Sequence, residues 1–358
     1  MISYQVTSFG GPLQKAQVDT PAPQGSEVLL KVLAAGVCHT DIHTWHGSYD
    51  LGGGKRLSMQ DRGVTLPLTL GHEIVGEVIA CGPDAGPVTV GQTYVVYPWI
   101  GCGTCKVCLR DRENLCPAPR FLGVFRAGGY SDHVIVPAAK YLVEIGELTP
   151  AQAAPYACSG LTTFSAIKKI DPQVLKEEPV VVIGAGGVGL MCITLLRALG
   201  APSIVVVETN GARRGAALAA GATHAIDGAA ADALAQVNRA VGGGAWAVID
   251  CVGAAATVEQ GIAMLVKGGQ LIVIGLFGGE TTLSVALLPM RAATVQGSYI
   301  GNLPELRELM ALVREKRPQA IPLICRCLDD APQSLHDLEA GQIVGRVILE
   351  PNLTPESA

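Results

Sequence analysis

The chain has 358 residues, of which 49% are apolar and 16% charged, against about 25% charged in an ordinary globular domain; disorder is excluded as a main theme and two or three cores are affordable. The formal net charge of −5, from 26 basic and 31 acidic residues, leaves no cationic footprint for nucleic acid or an anionic membrane. The 44 glycines fall in short clusters, which excludes collagen and marks tight turns.

The N-terminal run Met1-Ile2-Ser3-Tyr4-Gln5-Val6 has no basic patch followed by an apolar stretch, so no secretory signal is visible and a cytoplasmic location is expected. Residues up to about 150 read as short strands broken by Gly and Pro: Glu27 to Ala34, His72 to Ala80 and Thr93 to Tyr97. From about Glu178 the texture changes. Apolar β-branched runs (Val180–Ile183, Ile204–Val207, Ala247–Ile249, Leu271–Ile274) alternate with helical stretches (Val188–Leu199, Ala212–Ala220), the pattern of right-handed crossovers over a doubly wound parallel α/β sheet. Pro179 to Leu196 is uncharged and would suit a membrane span by length, but its glycines and the adjoining Arg197 argue for a buried strand and helix. After Tyr299 one helix, Pro304 to Lys316, and one strand, Ile343 to Leu349, are predicted.

Gly184-Ala185-Gly186-Gly187-Val188-Gly189 follows the strand Val180–Ile183 and opens a helix. In that context GxGxxG is a pyrophosphate cradle: one glycine permits the turn, the next lets the ligand approach the backbone, and the last allows close helix–strand packing. Glu208 ends the next strand, where a carboxylate meets the adenosine ribose and repels a 2′-phosphate, favouring NAD. Arg213 and Arg214 lie close enough to accommodate that phosphate instead.

Eleven cysteines without an export signal read as metal ligands or catalytic groups before disulfides. Cys102, Cys105, Cys108 and Cys116 have the spacing C-x2-C-x2-C-x7-C, and four thiolates so close need a soft cation, most simply a structural zinc. An iron–sulfur cluster is the alternative that x2 spacings leave open. Cys38-His39-Thr40-Asp41 follows one strand and Gly71-His72-Glu73 opens another; each alone would pass for core.

Together and in this order, over essentially the whole chain, these motifs resemble the zinc-dependent medium-chain alcohol dehydrogenases, in their prokaryotic and archaeal NAD-dependent branch. The resemblance implies a GroES-like irregular β catalytic domain over residues 1–160 and 300–358 and a Rossmann domain over 161–299. It implies NAD and two zinc ions per chain as cofactors, a homotetramer, and a small alcohol or carbonyl substrate. Cys38, His72 and Cys158 would hold the catalytic zinc, with Glu73 beside it and Asp41 orienting the histidine. Three protein ligands leave a fourth position open, where an alcohol would be acidified and give hydride to the nicotinamide. Thr40 would take the alcohol's proton and pass it through the cofactor ribose to His46. By the same resemblance Thr162 contacts nicotinamide, Arg213 the adenosine ribose, and Arg346 and His39 the pyrophosphate, while Trp99 and Phe121 wall the substrate pocket. Two other readings are a zinc-independent reductase of the same superfamily, in which Cys38 and His72 would be idle, and a non-enzymatic zinc protein that binds NAD.

The segment Ser48 to Leu66 is longer than in short-loop members and would form either a lid over the cleft or a contact with a neighbouring subunit. Cys81, Cys192, Cys251, Cys325 and Cys327 read as buried hydrophobes or idle thiols, and His133, His224 and His336 as structural; His43 has no assigned role.

Overall fold

The structure, a computed structural model, describes residues 1–353; the end of the expected 300–358 segment, residues 354–358, lies outside the described residues. Two large sheets organise the chain. In the first, Leu142–Glu144, Thr93–Val96, Glu73–Cys81, Val28–Gly36, Arg346–Glu350 and Leu323–Cys327 lie side by side in that order, and His133–Val136 also pairs with Val28–Gly36. Register shifts at Leu29/Leu30 and Val32/Ala34 bend the long antiparallel pair of Val28–Gly36 and Glu73–Cys81. The C-terminal end of Val28–Gly36 lies beside the N-terminal start of Glu73–Cys81, which brings Cys38 and His72 to one place.

The second sheet is parallel throughout, ordered His224–Asp227, Ile204–Glu208, Val180–Ile183, Ala245–Asp250, Leu265–Val273, Thr294–Gly297. The chain winds one way from Val180–Ile183 and then the other, which leaves a crevice at the carboxyl ends of Val180–Ile183 and Ala245–Asp250. Val180–Ile183 is buried at every position, so it is uniformly apolar rather than alternating. The stretch that suited a membrane by length divides into this strand and the helix Gly187–Ala198, and no described helix is long and apolar enough to cross a membrane.

Between the sheets runs the helix Ser159–Ile167, buried at every residue and packed on Gly187–Ala198 and Leu303–Lys316. The C-terminal region holds more than the sequence pattern predicts: a strand Leu323–Cys327 and a second helix, Ala331–Glu339, accompany Leu303–Lys316. That helix buries only Ala331, Ser334, Leu335 and Leu338, too thin an apolar stripe to stand out. The last strand starts at Arg346, after the left-handed turn at Gly345 (φ +93°), rather than at Ile343. Leu265–Val273 likewise begins before Leu271, where Gly268-Gly269 disguises the strand.

Ser48–Gly52 and Lys55–Ser58 form an antiparallel hairpin. Its tip packs on the loop after Leu265–Val273 of the same chain: a Cβ on Gly52 would lie 2.6 Å from the Glu280 backbone nitrogen, and one on Gly278 would lie 2.7 Å from the Asp50 carbonyl. The hairpin therefore straps one sheet unit to the other.

Candidate active site

Cys38 caps the helix His39–His46, whose Asp41 at the third position accepts the Cys38 backbone N–H at 2.9 Å. Asp41 is completely buried and fully used: Gly71 N–H (3.1 Å), the Tyr130 hydroxyl (3.0 Å) and His72 Nδ1 (3.0 Å) also donate to it. The acceptor on Nδ1 fixes the tautomer, so His72 Nε2 presents its lone pair on the other side of the ring. Among the described residues that buried nitrogen has no hydrogen-bond partner. It lies with the Cys38 and Cys158 sulfurs in one group whose ligand atoms are all within 4.8 Å of one another, the two sulfurs being 4.0 Å apart.

Two sulfurs and one imidazole with an orphaned nitrogen suit zinc. The facing Cys158 sulfur holds the Cys38 thiol well below the usual thiol range, against the opposing effect of burial, with His72 and Arg346 adding to the lowering. Arg346, equally buried, donates to the Val37 carbonyl at 3.0 Å and sits 3.3 Å from the Glu73 carboxylate. Burial raises the Glu73 carboxyl to about 7, against the pull of Arg346. The same guanidinium lies behind the glycine turn, since a Cβ on Gly187 would come within 3.2 Å of Arg346 Cζ.

At that turn Gly184 has φ +89° and a Cβ on Gly189 would strike the Gly184 carbonyl oxygen at 1.9 Å, so the last glycine is required by close packing. Gly186 faces open space and Val188 lies in the first turn of the helix. Glu208 accepts the Ala185 and Asn210 N–H groups, each at 2.8 Å, which aims its carboxylate across the turn. Arg214 is tied to Asp227 (3.2 Å) and to the Glu208 and Thr209 carbonyls, while Arg213 donates to the Gly341 carbonyl at 2.8 Å.

His39 begins the helix exposed, Thr40 is half-buried, and His46 ends it exposed, 2.7 Å from Glu339 and stacked on Trp45. Thr162 is buried one turn after Cys158, whose carbonyl accepts its N–H. The Trp99 ring lies 5.1 Å from His72, with Phe121 edge-on to it at 5.3 Å. Sequence reasoning missed Tyr130, which completes the Asp41 cage, and Glu339, the partner of His46; neither carries a local motif.

Cys102, Cys105, Cys108 and Cys116 form a second group. Neighbouring sulfurs are 3.5 to 3.9 Å apart, and the backbone N–H groups of Cys102, Cys105, Cys108 and Ala118 point at them. The Thr104 N–H, first among such donors, draws the Cys102 thiol down to about 6. Glu113 anchors this loop to the sheet through Gly101 N–H (2.9 Å), Lys140 (2.8 Å) and the Tyr141 hydroxyl (2.8 Å).

Comparison with known proteins agrees with this geometry. Residues 24–147 match the alcohol dehydrogenase GroES-like domain and residues 187–315 the zinc-binding dehydrogenase domain. The chain is 35% identical to an NAD-dependent alcohol dehydrogenase of Sulfurisphaera tokodaii and 34% identical to one of Saccharolobus solfataricus, in both cases over 98% of this chain and 100% of the relative. The crystal structure of the alcohol dehydrogenase from Aeropyrum pernix superposes with a TM-score of 0.88 at 27% identity, over 98% of this chain and 100% of that one. This chain belongs to the zinc-binding alcohol dehydrogenase family.

Proposed function

We propose that the chain catalyses reversible hydride transfer between a primary or secondary alcohol and NAD, at a zinc held by Cys38, His72 and Cys158. The observation that carries this is the unpartnered, buried His72 Nε2 aimed at two thiols, beside the crevice of a parallel dinucleotide-type sheet. Bound there, zinc supplies Lewis acidity that eases loss of the alcohol's proton or, in reverse, polarises a carbonyl, and NAD supplies the hydride acceptor.

The remaining work falls to the chain's own side chains. Asp41 keeps the imidazole in the ligating tautomer. Arg346 offsets the negative charge of the thiolates and of Glu73. Thr40 accepts the substrate hydroxyl proton, and His46, at the exposed end of the same helix, releases a proton to solvent. Trp99 and Phe121 exclude water from the reacting carbon. Thr162, His39, Arg213 and the Gly184–Gly189 turn position the dinucleotide, with Glu208 selecting NAD because Arg214 is already engaged by Asp227.

A second, structural zinc on the four clustered cysteines gives two per chain. The domain division is 1–160 with 300–358, and 161–299, supported by the return of Leu323–Cys327 and Arg346–Glu350 to the first sheet. The homotetramer rests on the family resemblance; the exposed edge strand Thr294–Gly297 and the apolar Phe277, Val285 and Met290, 73%, 81% and 67% exposed, supply surface for a contact between copies. Clustered thiols that must stay reduced suit the cytoplasm.

Metal analysis, with NADH absorbance followed over a panel of alcohols, tests the reading. Two zincs per chain and turnover with NAD exceeding that with NADP by more than about tenfold are expected. One zinc, retained in Cys38→Ser, or no alcohol-dependent NADH, overturns it.

A further inference from the structure

Resting on the dehydrogenase reading above, we propose that Arg62 is an anion-recognition residue at the far end of the substrate cleft, so that the preferred substrate is a ring-bearing alcohol or aldehyde carrying a carboxylate distant from the reacting carbon.

Arg62 follows the strapping hairpin and is half-buried, yet among the described residues no carboxylate lies within ion-pair distance of it. Its guanidinium carbon stands 5.6 Å from the Phe125 ring centroid, Nη1 donates to the Met59 sulfur at 4.0 Å, and the neutral Tyr299 hydroxyl is its other side-chain hydrogen-bond partner. A continuous aromatic wall joins this cation to the metal group: Phe125 is edge-on to Phe121 at 5.8 Å, Phe121 to Trp99 at 5.3 Å, and Trp99 lies 5.1 Å from His72. Two phenols face it. Burial raises both Tyr49 and Tyr299, Arg62 opposes the rise in both, and Cys38 and Cys158 respectively add to it. The ring contacts thus lead from the metal-binding group to Arg62, and the substrate is placed along them.

The residue is also held in place. The Arg62 N–H donates to the Ser58 carbonyl, Met59 N–H to Gly47, and Val64 N–H to Met59, with Met59 and Val64 buried beneath. The hairpin before it is pinned at its tip against Gly278 and Glu280. A fixed, partly desolvated guanidinium on an aromatic face, lacking a counter-ion, offers a planar fork that matches one carboxylate in bidentate fashion. The aromatic wall between it and the metal group fits a flat scaffold.

The test uses the zinc-loaded full chain at saturating NAD, with 4-(hydroxymethyl)benzoate and its neutral counterpart 4-methylbenzyl alcohol. The wild type should favour the carboxylate in kcat/KM by about tenfold or more. Arg62→Leu should cut that ratio by about tenfold, carried mainly by KM, since the contact is equal in ground and transition states. Arg62→Lys should restore part of it, which a merely structural role for the side chain would not do. Quenching of NADH fluorescence by benzoate gives a second readout, about tenfold weaker in Arg62→Leu; Arg62→Gln serves if the leucine variant does not fold. A wild-type ratio near one, or a ratio and benzoate affinity unmoved by the substitution, overturns the proposal. Failure of the dehydrogenase reading looks different: neither alcohol yields NADH, and the benzoate measurement alone then decides for or against Arg62.

Discussion

The two clusters of soft ligands are built on opposite plans. Cys102, Cys105, Cys108 and Cys116 come from one short loop, the first two partly exposed and the last two buried, and have their sulfurs met by nearby backbone N–H groups. Cys38, His72 and Cys158 come from separate parts of the chain, are buried, and depend on side chains behind them: Asp41, Tyr130, Glu73 and Arg346. A closed site can be local because it needs only to be gripped. An open one must keep a coordination position, a substrate wall and a dinucleotide crevice in register, which only a tertiary framework supplies.

The sharpest way to break the comparison is to remove one sulfur from each cluster. Cys38→Ser should lower alcohol turnover by about a thousandfold, about 4 kcal/mol of barrier, while one zinc stays bound; Cys105→Ser should lose the other zinc and lower the melting temperature with turnover largely kept at low temperature. Metal analysis, steady-state rates and thermal melts on the two variants check this, and equal effects on turnover would erase the distinction. Next in size, Asp41→Asn should weaken zinc at the three-ligand site by about 10- to 100-fold, measured by competition with a chelator, and leave the four-cysteine site untouched.

The smallest effect sharpens the local side. Burial opposes ionisation of Glu113, but Lys140, the Gly101 N–H and the Tyr141 hydroxyl together bring its carboxyl below the ordinary range. Its folded value lies beneath the unfolded one of about 4.3, so its contribution is complete at neutral pH and fades as pH falls through the folded value. Glu113→Gln should cost about 1–3 kcal/mol at pH 7, with wild type and variant converging below about pH 4; denaturant melts at both pH values check it.

Legibility in the sequence follows the same divide. The cysteine loop and the glycine turn declare themselves because their ligands and backbone geometry lie within one short stretch. Four strands of the parallel sheet are legible as apolar runs, Val180–Ile183 matching its observed bounds, whereas the edge strands His224–Asp227 and Thr294–Gly297 bury too little to stand out. Leu323–Cys327 and Ala331–Glu339 are not, since the one is largely exposed and the other has a sparse apolar stripe. Cys38, His72 and Cys158 could be grouped only through the family resemblance, because no local spacing joins them. The hairpin within Ser48 to Leu66 and the seating of its tip against Glu280 rest on a contact that no pattern encodes.

Local chemistry thus fixed what needs few neighbours: a turn that only glycine permits, four thiols within reach of one cation, and apolar runs that must be covered. The convergence of Asp41, Tyr130 and His72, the arginine poised between Glu73 and Gly187, and the Arg62 guanidinium against Phe125 were decided by packing. Their geometry depends on how distant segments close on one another, and a linear order of residues carries no distances.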